Sequence, residues 1–451
     1  MLNSPDPEQA NGETEVNITD LDAPPMGNVP GSETWRGHGP MQRARLWMRI
    51  ALLGGALLLV LLILLQVRHP FQPAARGGAT LPAVHALPLS SADGIAYASA
   101  PDGRVWAIRV RDGFLLWHHA GRGAVEALTT VADGVLFLAL RAFENNATVM
   151  NVEALRANDG ILLWSRTLPS DAPPPVSFTV VNKIIYLRAE VEQIEALRAG
   201  DGSVLWHATS RTPFVSTPSV ADGVVFASTQ DGHLDALRAT DGFPLWQSAA
   251  LIPPSSLPPV AVNGIVLVTL EDGSMQAFRT RTGALLWHYF PPSPLTGFRP
   301  LVAGGVVYVS ELDGASALRA SSGSLLWRAP LLFPIMLGSG AIYVEAQDGN
   351  LCALRVSTGS LLWCFKNGEG GAVSMTVIQG TIFLALQARG IAALRASNGL
   401  LLWSYTPHVP TTPWSPLVVD GLVLITLQDG SMQALHANNG ALLWHRTLDR
   451  S

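Results

Sequence analysis

The sequence predicts an all-β fold closed into a ring, preceded by a single transmembrane helix, and three observations carry that prediction. A short phrase ending in tryptophan recurs along most of the chain. Each copy follows a second pair of strand-like runs. One uncharged apolar stretch stands apart near the N-terminus.

The clearest copy of the phrase is Ala393-Leu394-Arg395-Ala396-Ser397-Asn398-Gly399-Leu400-Leu401-Leu402-Trp403. Related copies close at Trp117, Trp164, Trp206, Trp246, Trp287, Trp327, Trp363 and Trp444, at spacings from 36 residues (Trp327 to Trp363) to 47 (Trp117 to Trp164). A steady period near that length marks a repeat architecture. Inside each copy an apolar run, a polar residue with Gly, and a second apolar run read as a β-hairpin. Ala-Leu-Arg-Ala favours helix by composition, but the runs are short and Gly ends them.

Upstream of each phrase lies another strand pair, as in residues 217–228 and 415–426. Each unit therefore holds about four short strands, which is one propeller blade. The first unit (87–117) and the last (415–444) resemble the middle ones, whereas an open solenoid needs polar caps. The prediction is a closed β-propeller of about nine four-stranded blades. Eight blades result if one unit is incomplete or the chain ends pair to close the ring.

The phrase also sets a register. The residue before its repeated Ala and the residue after its Trp are always twelve positions apart, as in Glu195/His207, Asp235/Gln247, Ser316/Arg328 and Cys352/Cys364. Such pairs should face each other across the hairpin. The only two cysteines occupy one pair, so a disulfide between Cys352 and Cys364 is expected, with two buried thiols or a redox switch as alternatives.

Taken in order, residues 1–43 read as a disordered cytoplasmic tail, rich in Pro, Gly, Asn and acids such as Asp6, Glu8, Glu13 and Glu15. Residues 44–68 read as a transmembrane helix. Its uncharged run, Ile50 to Val67, spans roughly 27 Å at 1.5 Å per residue. Arg36, Arg43, Arg45 and Arg49 precede it and fewer basic residues follow, which puts the N-terminus in the cytoplasm and the repeats outside. Residues 69–84, with Pro70, Pro73 and Gly77-Gly78, read as a linker, and 85–451 as the propeller. Charged residues make up 14% and apolar ones 48%, the imbalance expected of strands buried on both faces. A net charge of −5 excludes a typical nucleic-acid binder.

These repeats resemble the PQQ-like (pyrroloquinoline quinone) β-propeller family, whose blades carry a Gly-then-Trp docking motif, here Asp201-Gly202-Ser203-Val204-Leu205-Trp206 and its eight relatives. The resemblance implies that the nine closing Trp residues pack between neighbouring blades. It also implies a likeness to the binding-only members, such as outer-membrane-assembly lipoproteins, more than to the quinone dehydrogenases. Two departures stand out. Where family phrases usually carry an acid, this chain has Arg109, Arg156, Arg198, Arg238, Arg279, Arg319, Arg355 and Arg395, with His436 in the ninth. The dehydrogenases hold their quinone with vicinal cysteines and calcium, and neither feature is present in the sequence.

No catalytic residue, metal site or cofactor is therefore expected. Asp in the turns (Asp102, Asp159, Asp231, Asp272, Asp313, Asp348, Asp429) serves local hydrogen bonding. His118, His207, His288 and His445 fall on separate blades. The expected function is a membrane-anchored, extracytoplasmic scaffold that binds a protein partner, with a quinone-dependent dehydrogenase-like enzyme as the alternative. Variable aromatic loops offer the candidate binding face: Tyr289, Phe290, Phe298, Phe333, Tyr405 and Trp414, beside the longest loop, Arg141 to Asn151.

Overall fold

The computed structural model describes residues 90–125, 130–144, 147–168, 178–249, 253–296, 299–330, 332–346, 349–366, 372–386, 390–412 and 415–448. The tail, transmembrane helix and linker read from residues 1–84 lie outside them. Among the described residues no helix is long and apolar enough to cross a membrane.

The described chain folds into nine antiparallel sheets, each made of consecutive strands. They form blades 1 (90–120), 2 (124–168), 3 (178–209), 4 (219–247), 5 (260–289), 6 (301–330), 7 (332–365), 8 (372–405) and 9 (417–447). The Ala-Leu-Arg segments are third strands, as in Leu234–Arg238 and Gly390–Arg395. Turn geometry explains why propensity loses there. Each of these segments runs into a turn closed by a left-handed glycine, Gly242 (φ 71°) after Leu234–Arg238 and Gly399 (φ 69°) after Gly390–Arg395, which stops a helix from continuing. All nine predicted cross-strand pairs face each other, from Trp106↔His118 to Gln433↔His445. One residue further on, every outer hairpin is bulged: Ala393 pairs Trp403, then Leu394 pairs Leu401, leaving Leu402 unpaired. Bulges of this kind twist an exposed edge away from further pairing.

Two readings change. The stretch Arg141 to Asn151 is not a loop. Second and third strands Val135–Glu144 and Ala147–Arg156 pair out to Glu144↔Ala147, because alternating β-branched and apolar residues carry the hairpin on. The crossings between blades are partly strand as well. Phe214, Pro254, Leu295 and Thr411 each form a β-bridge at the far end of the second strand of the following blade, before its short first strand begins. In blades 7 and 8 the same path is one continuous seven-residue strand.

The core is distributed around the ring, one apolar cluster for each interface between consecutive blades and two where the last blade meets the first. Phe137, Ala154 and Trp164 of blade 2 pack with Ile185, Leu187 and Leu197 of blade 3. Ala98, Trp106 and Ile108 of blade 1 pack with Met432 and Leu448 of the last repeat, so the first and last sheets meet. No strand crosses that seam, since both sheets are built from their own four consecutive strands.

Candidate functional site

Each closing Trp has the same two neighbours. Its indole N–H donates to a backbone carbonyl of the following blade: Trp117 to Ala157, Trp164 to Ala199, Trp206 to Ala239, Trp246 to Thr280, Trp287 to Ala320, Trp327 to Val356, Trp363 to Ala396 and Trp403 to Ala437, at 2.8–3.1 Å. Trp444 donates to Val110 of blade 1 at 2.8 Å and completes the circle. The ring face lies on the turn glycine three residues beyond that carbonyl. At Gly323 (φ +67°) an added Cβ would sit 2.6 Å from Trp287, and at Gly113 (φ +69°) 2.7 Å from Trp444. Gly is thus fixed twice, by backbone conformation and by contact.

A second bridging position lies two residues past the Trp. His119 Nε2 meets the Glu153 carboxylate at 2.9 Å, Arg166 Nη2 donates to Glu195 at 2.7 Å, and Arg446 donates to Gly113 O at 3.0 Å. Tyr289 and Tyr405 belong to this set. Tyr289 donates to buried Glu311 at 2.8 Å and Tyr405 to Gln433 at 2.9 Å, each in the following blade. These two tyrosines, read as binding residues, join blades, because their strands end against the next sheet. Of the remaining candidates, Phe290 is 66% exposed and stacks against His288 with ring centroids 3.8 Å apart. Phe333 lies on strand Leu332–Gly338, and Phe298 and Trp414 fall outside the described residues. Of the six, Tyr289, Phe290, Phe333 and Tyr405 lie among the described residues. Crossing prolines also tie blades: Pro213, Pro253, Pro294 and Pro410 each lend a carbonyl to a backbone N–H of the following blade.

Sequence reasoning missed the acceptors Glu153, Glu195, Glu311 and Gln433. The recurring offset from Trp was the available signal, but its residue type varies. Glu311 also takes the Arg328 guanidinium at 2.8 Å, although no exposed surface remains on it. Burial pushes the Glu195 carboxyl up against the pull of Arg166.

Cys352 and Cys364 are opposed and their sulfurs are bonded. A hollow of about 420 Å³ beside them runs between Arg328–Pro330 of blade 6 and the outer strands of blade 7. A larger recess of about 590 Å³ between blades 3 and 4 holds Arg211, Asp231, His233 and Asp235. His233, Thr229 and Thr212 hold the Asp231 carboxyl far below its ordinary value. Burial raises that of Asp235, while Gln247 opposes it. These carboxylates are engaged by neighbours: Thr212 Oγ1 donates to Asp231 at 2.9 Å, and Gln247 Nε2 donates to Asp235 at 2.7 Å.

A quinone with calcium, the cofactor pair of dehydrogenases on similar repeats, finds no matching donors among the described residues. The described first strands, which line the centre, carry no charged residue: Ser90–Ala92, Thr130–Ala132, Phe178–Val181, Ser219–Ala221, Val260–Val262, Leu301–Ala303, Leu332–Gly338, Ala372–Ile378 and Leu417–Val419. Calcium requires six to eight oxygen ligands, with carboxylates prominent among them. Among the described residues no group of three or more His, Cys, Asp or Glu is placed to hold a metal ion. The residues present do not fit this group.

A family model described as "outer membrane protein assembly factor BamB" matches the chain over residues 146–297, 250–336, 271–412 and 316–451. No curated protein sequence matches. Among solved structures, BamB from Moraxella catarrhalis is 16% identical, with 78% of this chain and 98% of that chain covered and a TM-score of 0.47. The computationally designed Ika8 protein is 14% identical over 78% and 96%, with a TM-score of 0.50. The quinohemoprotein alcohol dehydrogenase from Comamonas testosteroni is 14% identical over 61% and 68%, with a TM-score of 0.42.

Proposed function

The chain belongs to the family described as outer membrane protein assembly factor BamB, and from that premise we propose that it is a non-catalytic scaffold that binds a protein partner. In this reading residues 44–68 cross the membrane once and hold the propeller outside the cytoplasm. The observation that carries the proposal is the uncharged lining formed by the described first strands, which offers a quinone or a cation no carboxylate. A rigid toroid whose blades are joined by repeated indole and side-chain hydrogen bonds is suited to presenting surface, and its loops and turns are where binding resides.

Crosslinking in intact membranes followed by mass spectrometry tests it. A protein partner recovered reproducibly on propeller peptides is the expected result. Alcohol or sugar oxidation that depends on added quinone and calcium would overturn the reading. The topology is checked separately by adding protease to intact cells, which should cut the repeats and spare the N-terminal tail.

A further inference from the structure

Strand direction puts both tight turns of every blade on one face, and that face is divided by charge. In blades 1 to 4 the third-strand Arg is matched by Asp three residues on. Arg109–Asp112 close to 3.0 Å, Arg156–Asp159 to 2.9 Å, Arg198–Asp201 to 3.3 Å and Arg238–Asp241 to 2.8 Å. The other turn adds Asp93, Asp133 and Asp222 in blades 1, 2 and 4, and Asn182-Lys183 in blade 3, so four pairs and three further acids there stand against one lysine. In blades 5 to 8 the matching position holds Thr282, Ser322, Thr358 and Asn398. The other turn there is Asn263-Gly264, Gly304-Gly305, Ser339-Gly340 or Gln379-Gly380. Arg279, Arg281, Arg319, Arg355 and Arg395 are thus exposed with no carboxylate partner among the described residues, and all eight turns lie within those residues.

A hollow of about 380 Å³ opens on the same arc between blades 5 and 6, beside Arg319 and floored by Asn263, Gly304 and Gly305. A Cβ added at either glycine would meet nothing within 4 Å, so the floor is open.

We propose that this arc docks an acidic segment of a protein partner, laid across blades 5 to 8 with a carboxylate side chain in the hollow beside Arg319. The proposal rests on the scaffold reading and names the chemistry of its partner. Guanidinium groups bind carboxylates through two parallel donors, which a lysine cannot do. The ring fixes one such fork per blade, so the row is preorganised. A concave pocket favours an inserted side chain over a flat lipid surface, and the described chain enters on the opposite face, at Ser90.

The test uses the full-length protein in non-ionic detergent and a fluorescein-labelled deca-glutamate peptide, read by anisotropy. Binding should weaken as salt rises. Arg319→Gln with Arg355→Gln should weaken it about fivefold or more, on the scale of two exposed ion pairs, and Arg279→Gln with Arg395→Gln should act alike. Arg156→Gln with Arg198→Gln, on the neutralised arc, should leave it within about twofold. All these side chains are exposed, so unchanged thermal unfolding is expected and verifies the fold. Equal losses from both arcs overturn the proposal. So does failure to bind the peptide, or arc-dependent retention on phosphatidylglycerol nanodiscs without peptide binding. If the peptide fails while crosslinking recovers a partner elsewhere, this site falls and the scaffold stands. If both fail, both fall.

Discussion

At the scale of single residues the ring depends on a glycine–indole contact repeated around it. Replacing Gly323 by Ala demands a left-handed backbone from a residue with a side chain and drives Cβ to 2.6 Å from Trp287. The two penalties should together cost about 2–4 kcal/mol. Urea unfolding would show a lowered midpoint, whereas Gly304→Ala, with the left-handed penalty but open space, should cost about 1 kcal/mol. His288 supplies a pH signature. Desolvation, partly offset by Asp272, holds it below its ordinary value of 6.5, with Ser274 Oγ 2.9 Å from Nε2. The unfolded chain binds this proton more readily, so stability rises with pH through that window and is lost as pH falls below about 6.5. Glu195 and Asp235, raised by burial, act in the opposite sense: their folded forms hold protons longer, so stability falls as pH rises through their window. His288→Gln should therefore flatten the drop in unfolding midpoint between about pH 7 and 5.5.

At the scale of the hairpin, the Cys352–Cys364 bond closes a loop with a sequence separation of 12, inside a pairing that already holds. Chain entropy sets its worth at roughly 2–3 kcal/mol. Reduction should raise amide exchange across 351–365 and leave distant blades unchanged, a contrast that exchange mass spectrometry resolves. The hairpin is also where the sequence was most legible. Position, spacing and residue type agree there: Gly for the turn, Trp at the close, twelve residues between opposed partners. The crossings were not legible, since proline and aromatic content describes a binding loop and an interblade joint equally well. Tyr289 became a joint only when the next sheet placed Glu311 under its hydroxyl, a contact between residues in separate repeats. The half-ring of unmatched arginine was visible as Asp giving way to Thr, Ser and Asn three positions on. Its grouping on consecutive blades of one face needed the topology.

At the scale of the whole molecule the nine interfaces share one indole contact, including the interface between the last blade and the first, where Trp444 meets Val110 and Gly113. Joining residue 448 to 90 through about ten residues, the length of the natural crossing from Thr209 to Ser219, and opening the chain at 250 should yield a folded circular permutant. Its far-ultraviolet dichroism should match the parent, with a thermal midpoint a few degrees away. Collapse of the permutant would mean that the order of the blades matters to folding. If instead it folds, the junction between blades 9 and 1 is one seam among nine with no privileged starting point. Each blade is then a self-contained unit of sequence, since no strand is shared between neighbours, and where the polypeptide starts is a matter of connectivity alone.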